Sequence, residues 1–323
     1  MKKTKKSKKF SRHSIVSMLA VAVSVVGLIG VVASARNAYA AQPTVDLQTA
    51  APFVILAGTP AITDVGGSVI TGNVGMSPAT GAGIGLLCSQ VTGTIYSVDA
   101  AGPLPCRVTN GPLLVTAKNN LTAAFVDAAG RTPVSTVPTE LGGTTKFAGV
   151  YDSGSTTFQI TAGAGPLVID GQGDPSSVFI FEMGFGGTGL TVGPGSTVSL
   201  INGASACNIF WRVDTASINT TAVFKGTIMA LNSISVANGA NIEGRLLARN
   251  GAVSLNNDTI HIPTCATTTT TTTTSTGTTT PGLPNTGVSD KNQRDITVWY
   301  GVGAAGAVLA AVSFYLARKK QLR

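Results

Sequence analysis

Charge, aromatic rings and histidine are all scarce in this chain. Charged residues make up 11%, aromatic residues 6%, and there are two histidines in 323 residues. Each scarcity excludes something. Between residues 41 and 265 the sole histidine is His261, and no GxSxG elbow surrounds a serine. A nucleophile with a histidine base is therefore not legible. The four cysteines, Cys88, Cys106, Cys207 and Cys265, contain no CxxC pair. With a single histidine beside them they make no zinc site, and no metal or cofactor is expected. Few aromatics argue against a stacking platform for single-stranded nucleic acid. The pI of about 9.5 suggests a polyanion partner until the charge is placed along the chain. Residues 1–40 hold 8 of the 22 cationic side chains and residues 290–323 another 6. The stretch between keeps 8, against 12 of the 14 acidic ones, a net of −4. The basic charge thus belongs to targeting and topology, and no nucleic-acid partner is expected. The remaining enzyme signals are weak. "GAGIG" (81–85) and "GGTGLTVGPG" (186–195) lack the strand–turn–helix context of a phosphate loop and read as turns. Asp170 and Asp174 in "IDGQGDP" are the nearest carboxylate pair for sugar hydrolysis. In a Gly/Pro-rich segment they read as turn chemistry, and Trp211 and Arg212 read as core and rim. The sequence predicts a protein that is not an enzyme.

What is abundant is Gly, Thr, Ser, Ala and Val, a composition that suits β-structure with many tight turns. Residues 224–260 carry an internal echo. "FKGTIMALNSISVANGAN" (224–241) is followed by "IEGRLLARNGAVSLNNDT" (242–259), with Gly226 matching Gly244, Ala230 matching Ala248 and Asn232 matching Asn250. After a one-residue slip "SISV" (233–236) aligns with "AVSL" (252–255). Within each copy the residues alternate, so Ile234, Val236, Val253 and Leu255 face in while the residues between them face out. "STVSLI" (196–201) and "FQITAG" (158–163) alternate in the same way. A repeat near 20 residues built as strand–turn–strand predicts a mostly β fold, a β-solenoid whose coils bury their inner faces by stacking. One segment differs. "PLLVTAKNNLTAAFVDAAG" (112–130) spaces Leu114, Ala117, Leu121, Ala124, Phe125 and Ala128 helically, with Pro112 at the start and Gly130 at the stop. It predicts one long α-helix packed alongside the solenoid.

The ends carry addresses. Six lysines and Arg12 precede the apolar run 15–33, and "ARNAYA" closes on an A-x-A signature. This predicts a signal peptide over 1–40, cleaved between Ala40 and Ala41; an uncleaved anchor is the rival reading. Export permits disulfides, and four cysteines allow three pairings. Cys88 and Cys106 bracket a short excursion, and Cys265 pinned to Cys207 would close the end of a domain spanning 41–265, so these two pairs are expected. A Thr-rich stretch, 266–282, reads as a stalk that could carry sugars. Leu283, Pro284, Asn285, Thr286 and Gly287 follow, then 21 uncharged residues (296–316), then "ARKKQLR". At ~1.5 Å per residue the uncharged segment spans a bilayer core, and the basic end stays cytoplasmic. A C-terminal transmembrane helix is therefore expected. Motif, helix and basic tail together resemble the sorting signal of cell-wall-anchored bacterial surface proteins. The resemblance implies that a sortase cuts between Thr286 and Gly287 and joins Thr286 to peptidoglycan. The product would be an extracellular, wall-anchored domain that touches the membrane only through the helix before sorting.

"LQTAAPFVILAG", "SVITGNVGMSP", "LTAAFVDAAG", "CNIFWRV", "GTIMALNSISV" and "GRLLARNGAVSLNNDTI" occur in this order. As a set they resemble the ice-binding-protein-like domains, secreted antifreeze β-solenoids of bacteria, fungi and algae. The resemblance covers about 47–265. It implies a right-handed β-helix of triangular section with a long helix alongside, and ice as a partner. From the residues themselves, stacked strands ~4.8 Å apart offer a flat, regular surface whose spacing lies close to repeats in the ice lattice. Aligning "ASIN" (216–219) with "SISV" and "AVSL" places Ser217, Asn219, Ser233, Ser235, Ala252 and Ser254 outward as the candidate ligand face. "STVSL" adds Thr197 and Ser199 by the same rule. A structural or adhesive surface module that binds a glycan or another cell is the alternative on the same scaffold.

Overall fold

The computed structural model describes residues 42–155, 157–183 and 189–265. The predicted cleavage site (Ala40, Ala41), the stalk, the LPNTG motif and the segment 296–316 lie outside the described residues. Among the described residues no helix is long and apolar enough to cross a membrane.

Short parallel strands dominate. The chain passes repeatedly through three sheets in the same order, adding one strand to each on most circuits. The reason is visible in one circuit. Ile209–Val213 lies on the first sheet, Ala216–Ile218 on the second and Val223–Gly226 on the third, with Asp214 and Thr220–Ala222 at the turns. Each strand is too short to bury its inner face alone, so neighbouring circuits supply the missing contacts. The inward residues form one continuous core that includes Ile218, Phe224, Ile234, Ile242, Val253 and Ile260. Phe181 and Trp211 stack in it at 4.1 Å between ring centroids, with Phe158 edge-on to Phe181. Trp211 is fully buried and its indole N–H donates to the Lys225 carbonyl at 3.2 Å.

The internal echo of the sequence is physical pairing. Phe224 lies opposite Ile242, Gly226 opposite Gly244 and Ala230 opposite Ala248. Val223–Ala230 and Asn241–Ala248 each turn a corner without interruption, so their first halves belong to the third sheet and their second halves to the first. Gly226 makes that corner at φ +107°, and a Cβ at Gly244 would overlap the Gly226 carbonyl oxygen. Only glycine lets the two corners stack.

The helix Gly111–Ala129 packs on the outside of the first sheet. Asn110 caps it, its side-chain oxygen accepting from the Leu113 N–H at 3.1 Å. The buried residues are the six spaced helically in the sequence: Leu114, Ala117, Leu121, Ala124, Phe125 and Ala128. They meet Leu56, Ile180, Phe210, Met229 and Leu247, which point away from the inner core. Strands of this sheet are therefore buried on both sides, which is why "FVILA", "FIF" (179–181) and "IFW" (209–211) read as unbroken apolar runs. The helix also solves a topological problem. Arg107–Thr109 before it and Val134–Thr136 after it are opposite ends of the strand order. At 19 residues it carries the chain about 28 Å back along the stack. Later circuits then grow toward the first ones, until Asn241–Ala248 pairs with Phe53–Ala57.

Two disulfides close the domain. Cys88 is bonded to Cys106 within a small excursion at one end, and Cys207 to Cys265.

Candidate ligand-binding face

The three sheets differ in what they show to water. The first, the covered face, shows mostly the helix. The second has seven strands, in the order Thr157–Ile160, Gly189–Val192, Ala216–Ile218, Ile234–Val236, Val253–Asn256, Ile62–Val65 and Ile84–Gly85. Backbone register lines up its outward residues. Gln159 lies opposite Thr191, Thr191 opposite Ser217, Ser217 opposite Ser235, and Ser235 opposite Ser254. The column continues through Thr63 to Gly85. Seven rungs at ~4.8 Å make a row about 29 Å long. Beneath it Phe158, Leu190, Ile218, Ile234, Val253 and Ile62 are buried, which holds the backbone flat. Among the described residues, no outward position of these strands carries a charged side chain. We call this the uncharged face.

The candidate residues sort themselves on it. Ser217, Ser235 and Ser254 share the central column. Ser233 and Ala252 stand to one side, where the Ser233 hydroxyl accepts from the Ala252 N–H at 3.2 Å. Asn219 stands on the other side, beyond Ile218, and its amide donates to the Val192 carbonyl at 2.8 Å. That bond spends one donor on the backbone and fixes the side chain. Three expectations need correction. "ASIN" is offset by one from "SISV": Ala216, not Ser217, opposes Ile234, so the outward serines coincide in a different frame. Thr197 and Ser199 are not on this face. Val198–Ile201 pairs with Leu167–Asp170 on the third sheet, because alternation marks an outward residue without saying which sheet it leaves. Arg212, expected at the rim, is buried under the helix, its Nη1 donating to the Met183 carbonyl at 2.7 Å and its guanidinium over the Phe125 ring. Thr63, Thr191 and Gly85 were not singled out in the sequence. Thr63 joins the column only because the last circuit stacks on the first, a contact of |i−j| near 190 that no local pattern announces.

The third sheet shows a different outward column. Lys225 lies opposite Glu243, Glu243 opposite His261, and His261 opposite Thr71. Lys225 and Glu243 form an ion pair at 2.6 Å. We call this the charged face. At the vertex between it and the uncharged face, two carboxylates act as staples. Asp258 accepts from the Ala240 and Asn256 N–H groups at 2.9 and 2.8 Å, and the Ser68 hydroxyl links the Asp258 backbone to Asp64. Burial, with the neighbouring Asp64 charge, pushes the Asp258 carboxyl up. Burial acts against Asp64 too, but hydrogen bonds from Ser68, Gln90 and Gly67 outweigh it and hold its carboxyl low. Both carboxylates are occupied by the fold. Among the described residues no group of histidine, cysteine and carboxylate side chains is placed to hold a metal.

Residues 55–261 match the protein family described as Ice-binding-like. An ice-binding protein from Colwellia sp is 40% identical over 235 residues, which cover 71% of this chain and 88% of that protein. One from Flavobacterium frigoris is 39% identical over 68% of this chain and 76% of its own length. Among solved structures, an ice-binding protein from an Antarctic biological consortium superposes with a TM-score of 0.60 at 35% identity, covering 69% of this chain and 93% of that one. A domain of a Shewanella frigidimarina ice-binding protein gives 0.62 at 28% identity, covering 70% and 99%. On the family match and on these relatives, the chain belongs to the ice-binding-like family.

Proposed function

We propose that this protein binds ice through the uncharged face, on a right-handed β-solenoid displayed outside the cell. The observation that carries the reading is the seven-rung column through Ser217, Ser235 and Ser254, free of charge at every outward position. Ice is a neutral, rigid, periodic ligand. A charged side chain holds its own hydration shell and keeps it out of register with a lattice, whereas small hydroxyl and methyl groups on a fixed backbone order water at the backbone's spacing. Rigidity costs nothing at binding, since the inner core already fixes the strands. Ser233, Ala252 and Asn219 widen the ordered strip on both sides. The relatives named above are ice-binding proteins, and the family supports the same ligand here.

The fragment 41–265 should show thermal hysteresis and shape ice crystals. Ser235→Tyr should abolish both while leaving the folded fraction unchanged, because Ser235 is exposed and its ring would stand above the flat column. If the unsubstituted fragment does neither at high concentration, the glycan- or cell-adhesive reading replaces this one.

The proposal extends to anchoring. Residues 1–40 are removed on export, 266–282 form a stalk, and a sortase joins Thr286 to the wall after cutting before Gly287, with 296–316 as a temporary membrane hold. Mass spectrometry of wall digests should find Thr286 linked to a peptidoglycan fragment. A full-length chain released by detergent alone would count against it.

A further inference from the structure

Each circuit has three vertices, and the ends of the domain gather at one of them. The last strand, Thr259–His261, lies on the charged face. The next position, on the covered face beside Asn241–Ala248, is already filled by Phe53–Ala57. The chain cannot begin another circuit there and must leave at the vertex between the charged and covered faces. Cys265 is bonded at that place to Cys207, in the single turn Ala206–Asn208 that connects Val198–Ile201 on the charged face with Ile209–Val213 on the covered face. The other end comes in past the helix C-terminus, where the Gln42 amide donates to the Thr132 carbonyl at 2.8 Å, and then reaches this turn. The Thr44 hydroxyl donates to the Asn208 side-chain oxygen at 3.3 Å, one residue from Cys207, while Val45 and Leu47 are buried beneath the helix. In a three-sided stack this vertex is the one opposite the uncharged face.

We propose that this vertex is the attachment side of the domain, and that the Cys207–Cys265 bridge fixes the C-terminal exit there. Whichever end holds the chain, the uncharged face is turned away from the support. The consequence concerns ligand class. A small soluble ligand would tolerate a chain end on the binding face, but an extended solid would be held off by it. The surface is therefore matched to a flat, extended ligand met by a tethered protein. This rests on the uncharged face being the binding surface, but the exit geometry is independent of which ligand is bound.

The 41–265 region corresponds to nearly the whole of the solved relatives, so it can be handled alone. It is fixed to a flat support through a tag placed directly after Cys265, and separately through a tag before Gln42. Two single-site forms are compared, Ser235→Cys on the uncharged face and Ser176→Cys. Ser176 is exposed in the turn after Leu167–Asp170, beside Pro175, whose carbonyl accepts from Asn208. Maleimide-coated gold particles, too large to slip beneath the protein, report access. In solution both forms should label equally. On the support the Ser235→Cys form should keep its rate and the Ser176→Cys form should fall about tenfold, for either tag. Equal labelling on the support, or the reverse order, would overturn the proposal. Adsorption of the same supports to ice is read in parallel with the unsubstituted protein. Labelling as expected without adsorption would remove ice as the ligand and leave the orientation standing.

Discussion

The uncharged and charged faces are built from the same circuits, with the same strand spacing and the same inward alternation, yet they present opposite chemistry. Ser217, Ser235 and Ser254 on one face correspond in role to Lys225, Glu243 and His261 on the other. The backbone therefore supplies periodicity to both, and the outward side chains alone decide which face can meet a neutral lattice. Burial could not make the choice, because the residues that differ contribute nothing to the core.

The largest effect should come from breaking what the two faces share. Gly244→Ala drives a Cβ into the Gly226 carbonyl at the vertex that leads from the charged face to the covered one. Backbone cannot give way as a side-chain tip would, so a loss of about 3 kcal/mol is expected, seen as a lower urea midpoint. Both faces should fail together. If Gly244→Ala leaves the midpoint unchanged, the stacking of the two corners is not what holds the circuits in register.

Exchanging the outward chemistry comes next. Ser217→Lys with Ser235→Glu places on the uncharged face, at neighbouring rungs, the pair that Lys225 and Glu243 form on the other. Ice shaping should disappear while the unfolding free energy from urea titration changes by no more than about 0.5 kcal/mol, since exposed pairs contribute little either way. Retained ice shaping would mean that charge is compatible with the ligand and that the contrast between the faces is incidental.

pH separates binding from stability more gently. The outward positions of the seven strands hold no titratable group, and at the end of the column Glu140, bridged to Gln159, is held low against burial by hydrogen bonds from Thr161 and Gly142, so ice activity of the folded protein should be flat from pH 6 to about 9. Stability should not be flat. Lys118 is half-buried between helix and covered face, its amine donating to the Ala248 and Arg249 carbonyls at 2.7 and 2.5 Å. Burial, aided by the Arg249 guanidinium, pushes its pKa down to about 7. Unfolded, the lysine regains the usual range near 10.5, so between these values the unfolded chain binds more protons. Stability should therefore rise with pH across that window, by on the order of 1 kcal/mol per unit, and Lys118→Met should flatten the slope. A slope that survives Lys118→Met belongs to another group.

The smallest effect closes the comparison. Lys225→Thr with Glu243→Thr removes the ion pair from the charged face. The unfolding free energy should change by about 0.5 kcal/mol or less, and ice activity should be unchanged. A marked loss of ice activity would place the ligand on the wrong face.

Local patterns in the sequence reached far. The alternation in 233–236 and 252–255, the echo of Gly226 in Gly244, and the helical spacing from Leu114 to Ala128 each report a contact between residues close in the chain or one circuit apart. Alternation is a statement about inside and outside, so it marked Ser235 and Ser254 correctly as outward. It is silent about which of three sheets a strand joins. That is why Thr197 and Ser199, with an equally good pattern, fall on another face, and why the frame of Ser217 was off by one.

Composition and short-range periodicity by themselves determined that this chain is mostly β-structure with one amphipathic helix. Those properties follow from side-chain polarity and backbone preference, which act residue by residue. Only the tertiary structure decided which outward residues share one face. The turns at each vertex vary in length, so a repeat of roughly 18 residues does not fix the phase of each strand around the stack. The return of the chain along the helix then lets the last circuit pair with the first, which brings Thr63 into line with Ser254, Ser235 and Ser217. A row of hydroxyls drawn from both halves of the chain exists only once those halves have met.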